Sequence, residues 1–199
     1  MNKENFYQTF INEKDKLLSQ GKTKLLLHSC CAPCSSSVLE LLTKEFDVTV
    51  YFFNPNLDGD EEFKKRAVEQ ERLCSLLGVP LIMESFNPST FNACVAGLEG
   101  EKEGGKRCEK CFYLRLNETA KKAKELSFNA FATTLTVSPL KNASLINSIG
   151  KIIEKETSLF YLVSDFKKKD GYKRSIELSF KHGLYRQNYC GCKFSKKEN

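Results

Sequence analysis

The sequence predicts an α/β protein built on a doubly wound parallel sheet. Short apolar runs bounded by turn residues recur along the chain, as buried parallel strands do. Longer segments between them repeat their apolar residues at helical spacing. Strands that alternate with helices form units that place helices on both faces of one sheet. At 199 residues, the chain is most simply a single domain.

Five strands are predicted from the apolar runs. The first run is followed at once by a loop of Ser, Cys and Pro residues, and the second ends at the turn signal Asn54-Pro55-Asn56. The predicted strands cover residues 25–27, 48–53, 81–83, 130–135 and 160–163.

Helices are predicted between the strands. A helical pattern follows the first strand from Val38 onward, and Gly78 ends a helix over residues 61–77. Cys74 and Cys94 fall on the apolar stripes of their helices, so we expect both in the core. The remaining helices are predicted over residues 1–20, 88–98, 108–126, 144–153 and 175–182.

The composition is that of an ordinary globular protein, with 41% hydrophobic and 28% charged residues. The first 24 residues are polar and charged, and no run approaches the ~20 apolar residues that a membrane span needs. We therefore expect a cytoplasmic protein with no membrane partner. Nine cysteines in that reducing compartment indicate metal or redox chemistry and not a disulfide framework.

Three cysteines, Cys30, Cys31 and Cys34, fall in the predicted loop after the first strand, where open α/β sheets bind ligands. We expect residues 35–37 to cap the next helix, so that its positive dipole end faces the same crevice. Such surroundings stabilise thiolates. The alternative is that small cysteines simply pack beneath a turn.

Two cysteine pairs follow. Cys108 and Cys111 are three residues apart at the start of a predicted helix, so they point the same way. One crevice can receive this pair and the first group, and four thiolates suit zinc or an iron–sulfur cluster. The long stretch of sequence between Cys34 and Cys108 disfavours a zinc ribbon, whose cysteine pairs lie close together in sequence. Cys190 and Cys192 lie in a C-terminal loop and suit a redox dithiol or one extra metal ligand.

The net charge of +6 comes from the C-terminal segment. Residues 165–199 hold ten Lys or Arg against four acidic residues, an excess equal to that of the whole chain. Aromatic residues lie among these charges, a mixture that suits phosphate contacts and base stacking. The alternative is a solvated basic tail.

Five motifs, in this order, closely resemble the QueH-type epoxyqueuosine reductases over residues 24–195. They are His28-Ser-Cys-Cys-Ala-Pro-Cys34, Gly105-Lys-Arg-Cys-Glu-Lys-Cys-Phe112 with Arg115-Leu-Asn-Glu-Thr-Ala120, Thr133-Thr-Leu-Thr-Val-Ser-Pro-Leu-Lys-Asn142, Asp165-Phe-Lys-Lys-Lys-Asp-Gly-Tyr172 and Tyr185-Arg-Gln-Asn-Tyr-Cys-Gly-Cys192. Five motifs in order make a specific match. Residues 1–23 form an N-terminal extension outside it.

The resemblance implies a Rossmann-like sheet of the kind found in adenine-nucleotide hydrolases and tRNA thiolases. It also implies the final step of queuosine biosynthesis. In that step epoxyqueuosine at the wobble position of a tRNA is reduced by two electrons to queuosine, and the epoxide oxygen leaves as water.

The resemblance also implies residue roles. Cys190 and Cys192 look like a redox-active disulfide pair, and Cys34 is the expected ligand of a second, single iron. The implied ligands of a 4Fe–4S cluster are Cys30, Cys31, Cys108 and Cys111. The charge excess of the C-terminal segment, and not the resemblance, leads us to expect that five cations hold the tRNA backbone, namely Lys167, Lys168, Lys169, Lys173 and Arg174.

The chemistry adds further expectations. A cluster passes one electron at a time, so a two-electron reduction needs a second redox centre beside it. No Gly-x-Gly-x-x-Gly follows the first strand, so we expect an external electron donor. His28 and Asp165, at predicted strand ends, are the expected proton donors for the leaving oxygen.

Two other classes stay open at this point. One is a zinc-stabilised tRNA-binding module without catalysis. The other is an ATP-using tRNA modification enzyme on the same fold. Against the latter, the first loop lacks a glycine-rich phosphate cradle, and Pro33 removes an N–H group that such a cradle would use.

Overall fold

A computed structural model describes residues 5–196, and within them five strands form one fully parallel sheet. The strands are β1 (Lys24–His28), β2 (Asp47–Phe52), β3 (Leu81–Met83), β4 (Ala130–Thr133) and β5 (Phe160–Tyr161). Their spatial order is β3-β2-β1-β4-β5, so the chain winds outward from β1 in both directions. The predicted doubly wound parallel sheet is therefore confirmed.

Helices cover both faces of the sheet. They are α1 (Phe6–Ser19), α2 (Ala32–Leu42), α3 (Asp60–Leu77), α4 (Pro88–Cys94), α5 (Lys106–Glu125), α6 (Ala143–Thr157) and α7 (Gly171–Lys181). Successive side chains of a strand point to opposite faces. Accordingly, Leu25 and Leu27 pack in a core with α1, α2 and α3, whereas Leu26 packs in a second core with α5 and α6.

The N-terminal helix α1, outside the resemblance, is part of the core. Phe10 and Leu17 are 2% and 1% exposed, and the Phe10 ring meets Phe166 edge-on at 5.5 Å between centroids. Asn5 caps the helix, because its side chain accepts from the backbone N–H of Gln8. Residues 1–4 of the predicted helix lie outside the described part of the chain.

Helix α2 begins earlier than predicted. Cys31 is its N-cap residue and Pro33 lies in its first turn, a position that suits the fixed φ of proline. The prediction that residues 35–37 cap the helix was wrong, because these serines lie inside it. Cys34 consequently belongs to the first turn of α2 and not to the loop.

Other element ends also differ from prediction. The predicted strand over 130–135 stops at Thr133, because the Thr133 side chain accepts from Leu135 N–H at 3.1 Å and a 3-10 turn follows. Helix α4 ends at Cys94 instead of residue 98, and β5 is shorter than predicted. Helix α7 begins four residues early, at Gly171. Of the helices within residues 5–196, none is long and apolar enough to cross a membrane.

Candidate metal and redox centre

The site lies at the carboxyl ends of β1 and β4. These neighbouring strands are followed by helices on opposite faces, and a crevice opens where the winding reverses. The Cys30 N–H donates to Thr134 Oγ1 at 3.3 Å, and the Ser29 N–H donates to the Tyr51 carbonyl at 2.9 Å. The loop after β1 is therefore hydrogen-bonded to β2 on one side and to the turn after β4 on the other.

Cys30, Cys31 and Cys34 form a compact group of thiols. Their sulfur atoms all lie within 4.8 Å of one another, and Cys30 and Cys31 Sγ are 3.8 Å apart. Hydrogen bonds from Cys31 and Cys34 hold the pKa of Cys30 well below its usual range. The same bonds raise the pKa of Cys31 to about 11 and raise that of Cys34. The group thus favours a thiolate on Cys30, flanked by two thiol donors.

Two cations, the half-buried Lys141 and the buried Arg115, lie beside these thiols. Burial lowers the pKa of Lys141, but negative charge on Cys190, Cys30 and Cys34 outweighs it and raises the pKa well above its usual value. Arg115 is 1% exposed and forms no ion pair with a carboxylate within the described residues. A buried charge without an opposite partner is costly. This lining therefore fits an anionic group, such as thiolates bound to a metal.

Arg115 also connects the two cysteine-bearing elements. It lies on α5, one turn after Cys111, and its Nε donates to His28 Nε2 at 3.3 Å. Its Nη2 donates to Asn54 Oδ1, and Asn54 Nδ2 in turn donates to the Ser29 carbonyl at 2.9 Å. This buried network ties α5 to the loop after β1.

Cys108 and Cys111 lie at the start of α5. The Gly104 N–H donates to Cys108 Sγ at 3.2 Å, and Cys108 packs against the apolar cluster that contains Cys30. Burial raises the pKa of Cys111 to about 12, although the charge of Arg115 opposes it. Neither sulfur belongs to the group of sulfur atoms that lie within 4.8 Å of one another. Among the described residues, that group consists of Cys30, Cys31 and Cys34.

The C-terminal pair lies between the two groups of thiols. Cys190 lines the same cavity as Cys30 and Cys34, whereas Cys192 is 8% exposed and packs with Cys111. Arg66 Nη1 donates to the Cys190 carbonyl at 3.1 Å and holds this segment in place. All nine cysteines, each within the described residues, are free thiols.

The cavity in front of the thiols, here called the thiol chamber, has a volume of about 280 Å³. Its floor carries Cys30, Cys34 and Cys190, beside Lys141 and the otherwise buried Arg66. Aromatic and polar side chains line the rest, among them Tyr172, Arg186, Asn188 and Tyr189. The chamber thus combines reactive thiols with a wall suited to a polar aromatic ligand.

His28 does not fit the predicted role of proton donor. Its side chain is fully buried, and its Nδ1 lies 2.8 Å from Thr133 Oγ1. Burial, helped by the Arg115 charge, lowers its pKa to about 3. The imidazole is therefore neutral at physiological pH and holds the network of Arg115 together.

Asp165 lies away from the thiols. It is 8% exposed, forms an ion pair with Lys167 Nζ at 2.6 Å and lines a different cavity. That cavity, here called the α7 cavity, has a volume of about 200 Å³ and lies between α1, α2 and residues 165–174. The prediction of Asp165 as proton donor at the thiols therefore has no support in its position.

The predicted tRNA-binding cations differ in their surroundings. Lys168, Lys169 and Arg174 line the α7 cavity. Arg174 already pairs with Glu40 at 2.7 Å, while Lys173 is exposed. Lys197 in the basic segment lies outside the described residues.

Sequence reasoning missed both cations beside the thiols, the buried Arg115 and the half-buried Lys141. Arg115 occupies the buried face of α5, one turn after Cys111, where an apolar residue would be expected. Lys141 follows Pro139 in a loop where a lysine would usually be solvated. The structure confirms Cys74 as a core residue, 2% exposed, whereas Cys94, also expected in the core, is only half-buried beside Phe91 and Val95.

The fold and site define a Rossmann-like α/β protein whose grouped thiols could hold a metal. A sequence profile of the family described as epoxyqueuosine reductase QueH matches residues 25–198. The chain belongs to this family.

Curated relatives carry the name epoxyqueuosine reductase QueH. The one from Streptococcus pyogenes serotype M1 is 43% identical over 182 residues, which cover 88% of this chain and 71% of the relative. The relative from Haemophilus influenzae is 36% identical, and the matched residues cover 96% of this chain and 78% of the relative. The relative from Thermotoga maritima is 34% identical, and the matched residues cover 86% of this chain and 89% of the relative. Among solved structures, the NMN synthetase of Francisella tularensis gives a TM-score of 0.43 at 13% identity, covering 92% of this chain and 87% of that chain, a likeness too weak to support a conclusion.

Proposed function

We propose that this chain reduces epoxyqueuosine to queuosine at the wobble position of tRNA, as an iron–sulfur oxidoreductase. Family membership supports the reaction. The observation that carries the proposal is the group of three thiols within 4.8 Å, at the floor of a chamber that Cys190 also lines. A zinc-stabilised module would require neither a dithiol beside the metal ligands nor an open chamber in front of them.

The proposed cluster ligands are Cys30, Cys31, Cys108 and Cys111, with Cys34 as ligand of a second iron. The donor set fits, because soft thiolates are the usual ligands of iron–sulfur clusters. Arg115 and Lys141 supply positive charge to an anionic group at these thiols. When bound, a 4Fe–4S cluster supplies electrons one at a time.

Cys190 and Cys192 are proposed to supply the two-electron step. Conversion of the epoxide to an alkene and water takes up two electrons and two protons. Oxidation of one dithiol to a disulfide releases the same number of each. The proposed reaction is thus balanced, and an external donor must then reduce the disulfide for the next turnover. Cys190 lines the chamber beside Cys30 and Cys34, and Cys192 packs in the same cluster as Cys111, which supports a role for the pair next to the proposed ligands.

The basic segment is proposed to hold the tRNA backbone through Lys167, Lys168, Lys169, Lys173 and Arg174. Lys173 is exposed beside the chamber residue Tyr172. Tyr172 and Tyr189 in the chamber wall suit stacking with an unpaired base. The substrate base would then enter the chamber while phosphates stay at its rim.

The test is the metal content of anaerobically purified protein and its cysteine variants. We expect a brown protein with about four or five iron atoms per chain. Replacing Cys30, Cys31, Cys108 or Cys111 with Ser should remove iron and visible absorption. Cys74→Ser is the matched control, since this thiol packs in the core on the other face of the sheet and its replacement should keep the iron. Cys94→Ser should keep it too, although Cys94 packs in the cluster that contains Cys111. Colourless protein with about one zinc per chain would contradict the proposal.

A further inference from the structure

The α7 cavity has the lining of a nucleotide site. Apolar and aromatic side chains, most of them from α1 and α2, line this cavity together with cationic side chains. The first group comprises Tyr7, Phe10, Val38, Leu41 and Phe166, and the second comprises Lys44, Lys168, Lys169 and Arg174. Nucleotide-binding surfaces combine aromatic contacts to the base with cations for the phosphate.

The positive charge of this cavity is not compensated. Its two carboxylates are neutralised, since Glu40 pairs with Arg174 at 2.7 Å and Asp165 pairs with Lys167 at 2.6 Å. Lys44, Lys168 and Lys169 form no ion pair with a carboxylate in the part of the chain that the structure describes. Their charge therefore favours an anionic ligand.

The start of α7 also faces this cavity. This helix has eleven residues and begins at Gly171, and the N–H groups of Gly171 and Tyr172 already donate to the carbonyls of Lys168 and Lys167. The helix therefore contributes its positive dipole end to the cavity, which favours an anion, and not free backbone donors. Gly171 itself lines the cavity, so the helix start faces it.

Ser37 gives independent evidence for a ligand. It is 8% exposed and lines the cavity from α2, and its Oγ has no hydrogen-bond partner among the described residues. Buried polar groups in folded proteins are nearly always paired. A phosphate oxygen would provide the missing partner.

We propose that the α7 cavity binds a phosphate-bearing nucleotide. Its phosphate contacts Ser37, Lys168 and Lys169 near the positive end of the α7 dipole, and its base lies against Tyr7. Two sources share this chemistry, a free mononucleotide and a nucleotide of the tRNA next to the modified base.

The tRNA source rests on the proposed function, and the position of α7 supports it. Tyr172 and Ser175 line the thiol chamber, whereas Gly171 and Arg174 line the α7 cavity. One helix therefore separates the two cavities. An RNA segment with two unstacked nucleotides could occupy both at once.

The experiment measures binding of inorganic phosphate, guanosine monophosphate and an anticodon stem–loop RNA, without turnover. Ser37→Leu fills the cavity and removes no charge. Lys168→Ala/Lys169→Ala removes two charges. The matched control is Lys22→Ala/Lys155→Ala, which removes two exposed charges near the amino ends of β1 and β5.

We expect both cavity variants to bind the stem–loop about tenfold or more weakly, which corresponds to at least about 1.4 kcal/mol. The slope of log affinity against log salt should fall by about 1.4–1.8 in the double lysine variant. It should stay near the wild-type value in Ser37→Leu and in the control.

The outcomes separate the sources. Loss of stem–loop binding in both cavity variants assigns the site to tRNA. Loss of guanosine monophosphate binding with unchanged stem–loop affinity assigns it to a free nucleotide. Wild-type binding of every probe by both variants, with unchanged thermal unfolding, overturns the proposal. Failure of the wild-type protein to hold iron or to reduce epoxyqueuosine would instead contradict the proposed function and leave these binding results intact.

Discussion

Replacement of Gly191 by alanine should release the segment that carries Cys190 and Cys192. Gly191 has φ +111°, a conformation that costs a residue with a side chain about 1–3 kcal/mol. An added Cβ would lie 2.6 Å from Leu57 Cδ2 and 2.7 Å from Arg66 Nη2. Forcing such contacts costs about 1–3 kcal/mol more. The total penalty is therefore about 2–6 kcal/mol.

Two hydrogen bonds oppose this release. The Asp58 N–H donates to the Gly191 carbonyl at 2.8 Å, and the buried Arg66 donates to the Cys190 carbonyl at 3.1 Å. A neutral hydrogen bond contributes about 1 kcal/mol and one to a charged group about 2 kcal/mol. The two bonds together contribute about 3 kcal/mol, which lies within the range of the penalty, so the segment should detach much more often while the sheet stays folded.

The assay is the rate at which a thiol reagent labels Cys192, which is 8% exposed in the wild type. Even the lower penalty of about 2 kcal/mol raises the population of the detached segment about 30-fold. We expect a similar rise in labelling rate, a loss of turnover and an unchanged iron content.

The matched control is Gly183→Ala. Gly183 also has positive φ, +58°, but no atom lies near its Cβ position. This variant tests conformational strain without the collision and should keep Cys192 protected. Wild-type labelling of Cys192 and wild-type turnover in Gly191→Ala would refute the assigned position of the segment.

Two further variants test the assigned roles of the thiols and of His28. Cys190→Ser/Cys192→Ser should keep its iron but lose multiple turnover; iron loss would make the pair ligands instead. Since His28 has a pKa of about 3 when folded against 6.5 ordinarily, only the unfolded chain binds its proton near pH 5. This linkage removes about 2 kcal/mol of stability between pH 7 and pH 5. His28→Gln should lack that part of the loss, as measured by urea unfolding at both pH values. An equal loss in both proteins would show that His28 is not held neutral.

The periodicity of apolar residues predicted the sheet and most helices, because the apolar spacing typical of a strand or a helix is visible within a few neighbouring residues. Element ends were less predictable. The three serines after Cys34 looked like capping residues, but Pro33 starts α2 earlier. Thr133 ends β4 with a side-chain hydrogen bond that apolar periodicity cannot reveal.

The candidate site, like the fold, was predicted from the sequence only in part. The spacing of the cysteines predicted which thiols belong to the site, and the resemblance implied their roles. The spacing also grouped Cys34 with Cys30 and Cys31, but neither predicted that their three sulfur atoms lie within 4.8 Å of one another, or that Asp165 lines a separate cavity. Both facts depend on where α2 starts and how α7 packs against it.

The sequence by itself determined the doubly wound fold, the thiols of the site and the basic character of the C-terminal segment. These are local properties of neighbouring residues and their chemistry. Only the tertiary structure decided that the buried Arg115 and the half-buried Lys141 lie beside the thiols, and that His28 is neutral. Burial and charge pairing depend on residues far apart in the chain, as when Arg115 reaches His28 across 87 positions. Such effects arise only when the packed sheet brings these groups together and excludes water from them.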